Sequence, residues 1–375
     1  MIEEKDFNFV AIEANFPDAY RLNRYVNGIS NDTLERCFND FTTFPKWTWR
    51  NKPMVEFIKW LRNYNDKCPK ERKVGIYGVD LYSLHKSIHC VLSYLEKVDK
   101  DDANRVRKLY SNFIESEGNA QQYGMKTAYG MSKSVEKEVN LALLTMLENG
   151  PKYLEEKGKY INGDELMFAQ KNAELVKAAE EYYRTMYTMN ENTWNLRDTF
   201  FYKMIIGILE HYENHRKIFR PKCVIWAHNS HLGNAKYTSA SLRGQFNVGQ
   251  LLKDHFGSSM FNVGCICYQG KVTAADDWDD DYEFMKVKKG MNGSYEALFH
   301  DASLNFSKNF GLIFRDNEDK DLIEKLSENR LERYIGVIYR PDTERQSHYC
   351  SSSLPKEFDS VIFFDEANYL FPLDK

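Results

Sequence analysis

Two histidines, His228 and His231, lie close together in the segment VIWAHNSHLG (Val224–Gly233), with Asn229 and Ser230 between them. The segment opens as an apolar, β-branched run and turns polar at the first histidine. Imidazole changes its charge near neutral pH, so two imidazoles in a polar turn can move protons or contact a ligand. They could also bind a metal. However, HxxH lacks the glutamate of HExxH, and no third ligand stands at local spacing, so no metal is expected.

Other apolar runs also end in ionisable residues. Glu13 closes FNFVAIE, Asp80 closes KVGIYGVD, Arg340 closes YIGVIYR, and Asp365 with Glu366 closes SVIFFDE. In an open parallel sheet the carboxyl ends of the strands share one rim, and ligands bind in the crevice there. Taken singly, each residue could simply solvate that rim or cap the next helix. Taken together, the carboxylates, an arginine and a histidine pair could support acid–base chemistry. The remaining histidine pairs, His85 with His89 and His211 with His215, have one-turn spacing on helical stretches. The second pair lies in EHYENHRK, which reads as an exposed helix end, where cations suit the helix dipole. There is no GxSxG elbow, Walker A loop or GxGxxG, so neither a serine triad nor a nucleotide loop is supported, and no cofactor is expected.

The elements that must position these residues alternate. Phe7–Glu13, Lys73–Asp80, Lys222–Asn229, Phe261–Tyr268, Tyr334–Arg340 and Ser360–Glu366 are nearly continuous apolar runs, as strands buried on both faces read. Helical patterns such as MVEFIKWLRNY lie between some of them. The order predicts an α/β protein: a mostly parallel sheet covered by helices on both faces. From about Leu84 to Arg220 the apolar spacing is helical and no strand is expected, so residues 84–220 read as a helical insertion. The acidic run Asp276–Glu283 reads as a solvated loop.

Composition narrows the class. The chain has 375 residues, 42% of them hydrophobic, enough for a large core. Its 51 Lys and Arg against 55 Asp and Glu leave no basic surplus, so nucleic acid is not expected as a partner. No apolar run reaches the roughly 18 residues of a membrane helix, and no membrane partner is expected. The acidic N-terminus lacks an apolar signal region. Seven scattered cysteines without a CxxC read as reduced thiols, and the cytoplasm is the expected location.

Several longer blocks carry a resemblance. FNFVAIEANFPDAYRLNRYV, FPKWTWRN, YGVDLYSL, WNLRD, VIWAHNSHLGNA, RGQFNVGQLL, TAADDW, SYEALFH and IGVIYRPDTERQSHY, in this order, resemble the erythromycin esterase-like family over essentially the whole chain. The resemblance implies one domain over 1–375 and hydrolysis of an ester or lactone by activated water, without a serine nucleophile. It implies catalytic roles for Glu13, His228 and His231, the histidines orienting water or substrate and steadying the developing oxyanion. Asp80, Tyr82, Asn229, Arg197 and Arg340 are the expected substrate-binding residues. In the family the general base is a histidine in a GExxHG loop one helix before the run that ends at Glu13. No GExxHG occurs here, so an N-terminally truncated domain of weak or no activity is expected. The alternative is a non-catalytic small-molecule-binding protein on the same fold. After WNLRD the family usually has a His-Met pair. Phe200 and Phe201 stand there instead, which implies a more apolar pocket.

Overall fold

The computed structural model describes residues 1–115, 119–156, 163–188 and 193–373. They form two compact units, Met1–Thr33 with Leu61–Trp226, and Leu34–Trp60 with Ala227–Lys375.

The first unit is built on three parallel strands, β1 (Phe9–Asn15), β2 (Gly75–Asp80) and β3 (Cys223–Trp226), in the order β2-β1-β3. Phe9, Val10, Ala11 and Ile12 of β1 are buried, as is every residue of β2. A central strand paired on both edges needs no polar alternation, which is why these runs are continuous. Phe9 stands opposite both Gly75 and Cys223, and Ile12 opposite both Gly78 and Trp226. The carboxyl ends of all three strands therefore share one rim. Asn65 locks the helix Phe16–Val26 to β2's entry. Its fully buried amide donates to Val26 O and Val74 O, each at 2.9 Å, and its carbonyl accepts from Val74 N at 2.8 Å.

Between residues 84 and 220 the described residues form helices and no strand. The longest helices are Asp164–Thr185 and Thr193–Asn214. Asp164 ties the start of one to the end of the other. It accepts from Arg216 Nη2 at 2.8 Å and pairs with His211 Nε2 at 2.6 Å. His211 is therefore buried rather than part of an exposed helix end, because a carboxylate compensates its ring.

The second unit holds β4 (Val263–Ala274), β5 (Glu283–Val287), β6 (Asn309–Ile313), β7 (Arg330–Arg333), β8 (Tyr349–Ser352) and β9 (Ser360–Ala367). One sheet has the order β5-β4-β9-β6. Its β4–β9 pair is parallel, and β5 and β6 are antiparallel edges. β7 and β8 form a separate antiparallel pair. Ile266, Tyr268, Val361 and Phe363 point inward onto Tyr295, Phe299 and Phe358. Cys265, Ile362 and Phe364 alternate with them and are exposed. These runs are thus covered on one face, unlike β1 and β2.

The fold class is α/β, as expected, with its strands divided among three sheets. The run Tyr334–Arg340 does not form a strand, so Arg340 closes none. Only Ile338 makes a bridge, to Ala275. Tyr334 is drawn toward buried polar groups, and the Ile335 carbonyl is taken by a side chain, so the backbone is not free for a ladder.

Candidate functional site

At the shared rim of β1 and β2 the register slips between Ile12 and Asn15, and Glu13 lies in that bulge. Bulges re-aim side chains at strand ends. Gly78 makes this one possible. A Cβ there would stand 2.4 Å from Ala14 O and 2.5 Å from Asn15 O, so any side chain would push the bulged backbone away. Glycine in β2 thus sets where β1 presents its carboxylate.

Arg197, from the helix Thr193–Asn214, reaches the same rim. Its Nε donates to Asp80 Oδ1 at 3.0 Å and its Nη2 to Asp80 Oδ2 at 2.7 Å. The same Nη2 donates to Glu13 Oε1 at 3.0 Å. Leu81 N adds a bond to Asp80 Oδ1 at 2.8 Å. The guanidinium lies 5.0 Å from the centre of the Tyr82 ring and 4.8 Å from that of Phe201. Asp80 and Arg197 are the more deeply buried partners, while the Glu13 side chain keeps 20% exposure. Burial alone would lower the Arg197 pKa. The charges of Asp80 and Glu13, with the hydrogen bonds to Asp80, reverse that and hold it well above the usual arginine value. Burial likewise pushes the Tyr82 hydroxyl well above its ordinary range, with its oxygen 3.5 Å from that of Tyr182. Four expected site residues, Glu13, Asp80, Tyr82 and Arg197, are therefore in one contact network. Phe201, noted in the sequence only as a departure, is part of it.

In the second unit, His228 caps the short helix Asn229–Leu232. Its Nδ1 accepts from Ser230 N at 3.2 Å and lies 2.8 Å from Ser230 Oγ. An Nδ1 that accepts leaves the proton on Nε2, which donates to Ile335 O at 2.9 Å. The ring is thus neutral, with one tautomer fixed. His231 is buried in the same turn and its amide donates to His228 O at 3.0 Å. The turn's orphan carbonyls go to two buried asparagines. Asn247 Nδ2 donates to Ser230 O at 2.8 Å and to Gly233 O, and Asn262 Nδ2 donates to Leu232 O. Asn229 donates to Cys265 O at 2.8 Å and accepts from Cys265 N at 3.1 Å.

Arg340 meets the acidic loop. Its Nε donates to Asp276 O at 3.0 Å and its Nη2 pairs with Asp277 at 2.8 Å. Asp365 pairs with His300 Nδ1 at 2.5 Å, and the His300 ring stacks on Tyr268 at 3.8 Å. Among the described residues, no group of three or more His, Cys, Asp or Glu side chains is placed to hold a metal ion. All seven cysteines are free thiols. No helix of the described residues is long and apolar enough to cross a membrane.

The sequence model of a family described as erythromycin esterase matches residues 2–367. A solved structure of a Bacillus cereus protein is 20% identical, with a TM-score of 0.72 over 100% of this chain and 84% of its own. A structure described as a succinoglycan biosynthesis protein is 17% identical, with a TM-score of 0.73 over 100% of this chain and 83% of that one. A variant of the erythromycin esterase EreC in its open conformation is 16% identical, with a TM-score of 0.64 over 98% of this chain and 85% of that one. At these identities the structures establish a shared fold.

Proposed function

The chain belongs to the erythromycin esterase family, and from that premise we propose that it is a cytoplasmic hydrolase that cleaves an ester or lactone with activated water. Glu13, His228 and His231 are the catalytic groups. Asp80, Tyr82 and Arg197 surround Glu13, with Asn229 and Arg340 as further substrate contacts. The observation that carries this reading is the arrangement of Asp80, Arg197 and Glu13. A buried aspartate binds the Nε–Nη2 edge of the guanidinium, and the same Nη2 donates to a partly exposed glutamate. A carboxylate held in one orientation beside a fixed positive charge can orient water or bind a developing positive charge without reorganising.

The 375 residues contain no GExxHG segment, so slow turnover is expected from them alone. A positioned base contributes about 10²–10⁴-fold. The test is a panel of simple esters and lactones, a macrolide included. It is run on this chain, on its Glu13→Gln and His228→Ala variants, and on a form extended by a GExxHG segment. The expected result is weak turnover, lower in both variants and raised in the extended form. Equal hydrolysis by all four proteins overturns the reading.

A second reading, a small-molecule-binding protein without turnover, is favoured by one observation. Both ring nitrogens of His228 are already used, one as a cap and one on Ile335 O. Saturable binding of a lactone with no hydrolysis by any form would select it.

A further inference from the structure

One helix of the first unit carries a second, exposed apolar face. Glu136–Glu148 reads EKEVNLALLTMLE, and from Val139 to Leu147 only Asn140 and Thr145 are polar. Val139, Ala142, Thr145 and Met146 are buried, at the three- and four-residue spacing of one helix face. The helix runs beside Asp164–Thr185. Gln170 Nε2 donates to Met146 O at 3.2 Å, and Arg184 Nη2 pairs with Glu136 Oε2 at 3.5 Å. The opposite face is leucine. Leu141, Leu144 and Leu147 are 49%, 46% and 47% exposed. A single exposed leucine needs no explanation, but a helix that is apolar all round is ordinarily covered all round. At 13 residues this one is also too short to cross a membrane.

The exposed face has ends of opposite charge. Lys137, Leu141, Leu144 and Glu148 are spaced four, three and four residues apart, so they fall on one line along the helix. That line lies opposite buried Val139, Ala142 and Met146. Lys137 and Glu148 are both exposed, and among the described residues neither is in an ion pair.

The spacing is the same read in either direction, while the end charges exchange. Two copies of the helix laid antiparallel about a two-fold axis therefore bring Lys137 to the partner's Glu148 and Leu141 to the partner's Leu144, each contact occurring twice. A parallel pairing would oppose lysine to lysine and glutamate to glutamate. A lipid surface fits the face less well. The helix has three glutamates and one lysine, whereas helices that lie on anionic membranes are basic.

We propose that the helix Glu136–Glu148 is a docking surface for a second copy of this chain, paired antiparallel about a two-fold axis. Leucine contacts drive the association, and the Lys137–Glu148 pairs set its direction. An apolar strip of about two turns is smaller than a standard interface, so the dimer is weak and concentration-dependent. The proposal stands apart from the hydrolase reading, because it uses no residue assigned to that site.

The test is sedimentation velocity of the full chain from micromolar to near-millimolar concentration, where the monomer is expected to give way to dimer. Leu141→Glu and Leu144→Glu place charge in the strip and should each abolish the dimer. Both positions are on the surface, so the melting midpoint of the dilute monomer should not move. Lys137→Glu opposes glutamate to glutamate at both ends, and Glu148→Lys opposes lysine to lysine, so each should weaken self-association by about tenfold. Mixing these two single variants restores opposite charges at both ends, and a heterodimer should form with the parent's affinity. The double variant Lys137→Glu/Glu148→Lys should regain the homodimer. A chain that stays monomeric throughout, a dimer indifferent to both leucine substitutions, or charge variants that mixing does not rescue would overturn the proposal. Flotation with phosphatidylcholine–phosphatidylglycerol vesicles is run in parallel. Capture of the chain by vesicles, lost in Leu141→Glu and without a dimer in solution, would overturn it in favour of a membrane surface.

Discussion

Removing the arginine that joins Glu13 to Asp80 tests the site's construction. Arg197→Met keeps an unbranched apolar stem between Tyr82 and Phe201 but deletes three donated bonds, two to Asp80 and one to Glu13. Asp80 is left buried without its cation, and breaking a buried pair in this way costs about 3–5 kcal/mol. Lost cation–π contact with two rings adds about 1 kcal/mol or more. Arg197→Lys keeps the charge but not the planar fork, so about 1–3 kcal/mol is expected from the poorer hydrogen bonds. Urea unfolding measures both, read from the midpoint at unchanged slope. The deficit of Arg197→Met should shrink as pH is lowered, because an uncompensated buried carboxylate folds more readily when protonated. Asp80→Asn completes a double-mutant cycle in which the two changes should be less than additive by about 2 kcal/mol. Additivity within about 0.5 kcal/mol would show that the two residues do not act as a pair, and the reasoning would fail.

Gly78→Ala should destabilise the first unit by about 1–3 kcal/mol, since the new Cβ meets backbone rather than a movable side chain; if the hydrolase reading holds, turnover should fall with it, and an unchanged melting midpoint would refute the account of the bulge. Glu296 has its pKa raised from 4.5 to about 7 by burial. The folded state therefore binds more protons than the unfolded one between those values, and stability falls as pH rises through that window, by about 3 kcal/mol in all. The wild-type minus Glu296→Gln difference in urea stability should carry that slope, and a flat difference would refute it. His228→Asn retains a capping side chain and should stay within about 1 kcal/mol of wild type, whereas His228→Ala should lose about 1 kcal/mol more. Both should turn over more slowly than the parent, and a His228→Asn protein as active as the parent would remove the imidazole from the mechanism.

The parts of the fold legible in the sequence are those where burial is complete. Phe9–Ile12 and Gly75–Val79 are continuous apolar runs because they are buried on both faces of the sheet. β7 reads RLER and escapes any pattern search, being short and carrying charges that turn inward. Arg333 is buried against Glu344 at 3.0 Å, and such compensation exists only in three dimensions. The opposite error occurs at Tyr334–Arg340, which has strand composition but gives its carbonyls to His228 and Ala275. At the candidate site, Glu13 and Asp80 are legible from strand ends and Arg197 only from the family blocks. A helix residue facing a sheet rim has no local signature.

Asn229 does more than mark a polar turn. β5 covers only Gly270–Ala274 of β4, and at Cys265 the edge away from β9 is met by the Asn229 amide, which satisfies both backbone groups of that residue as a neighbouring strand would. A side chain thus closes a length of sheet edge beside an open face with exposed apolar residues, Val263, Ile362 and Phe364. Unpaired edges of this kind template strand addition by other chains. Replacing Asn229 would consequently be felt in solution behaviour before it was felt in folding. The altered protein would self-associate through β4 at concentrations where the parent remains dispersed, and this one amide would account for the difference in solubility.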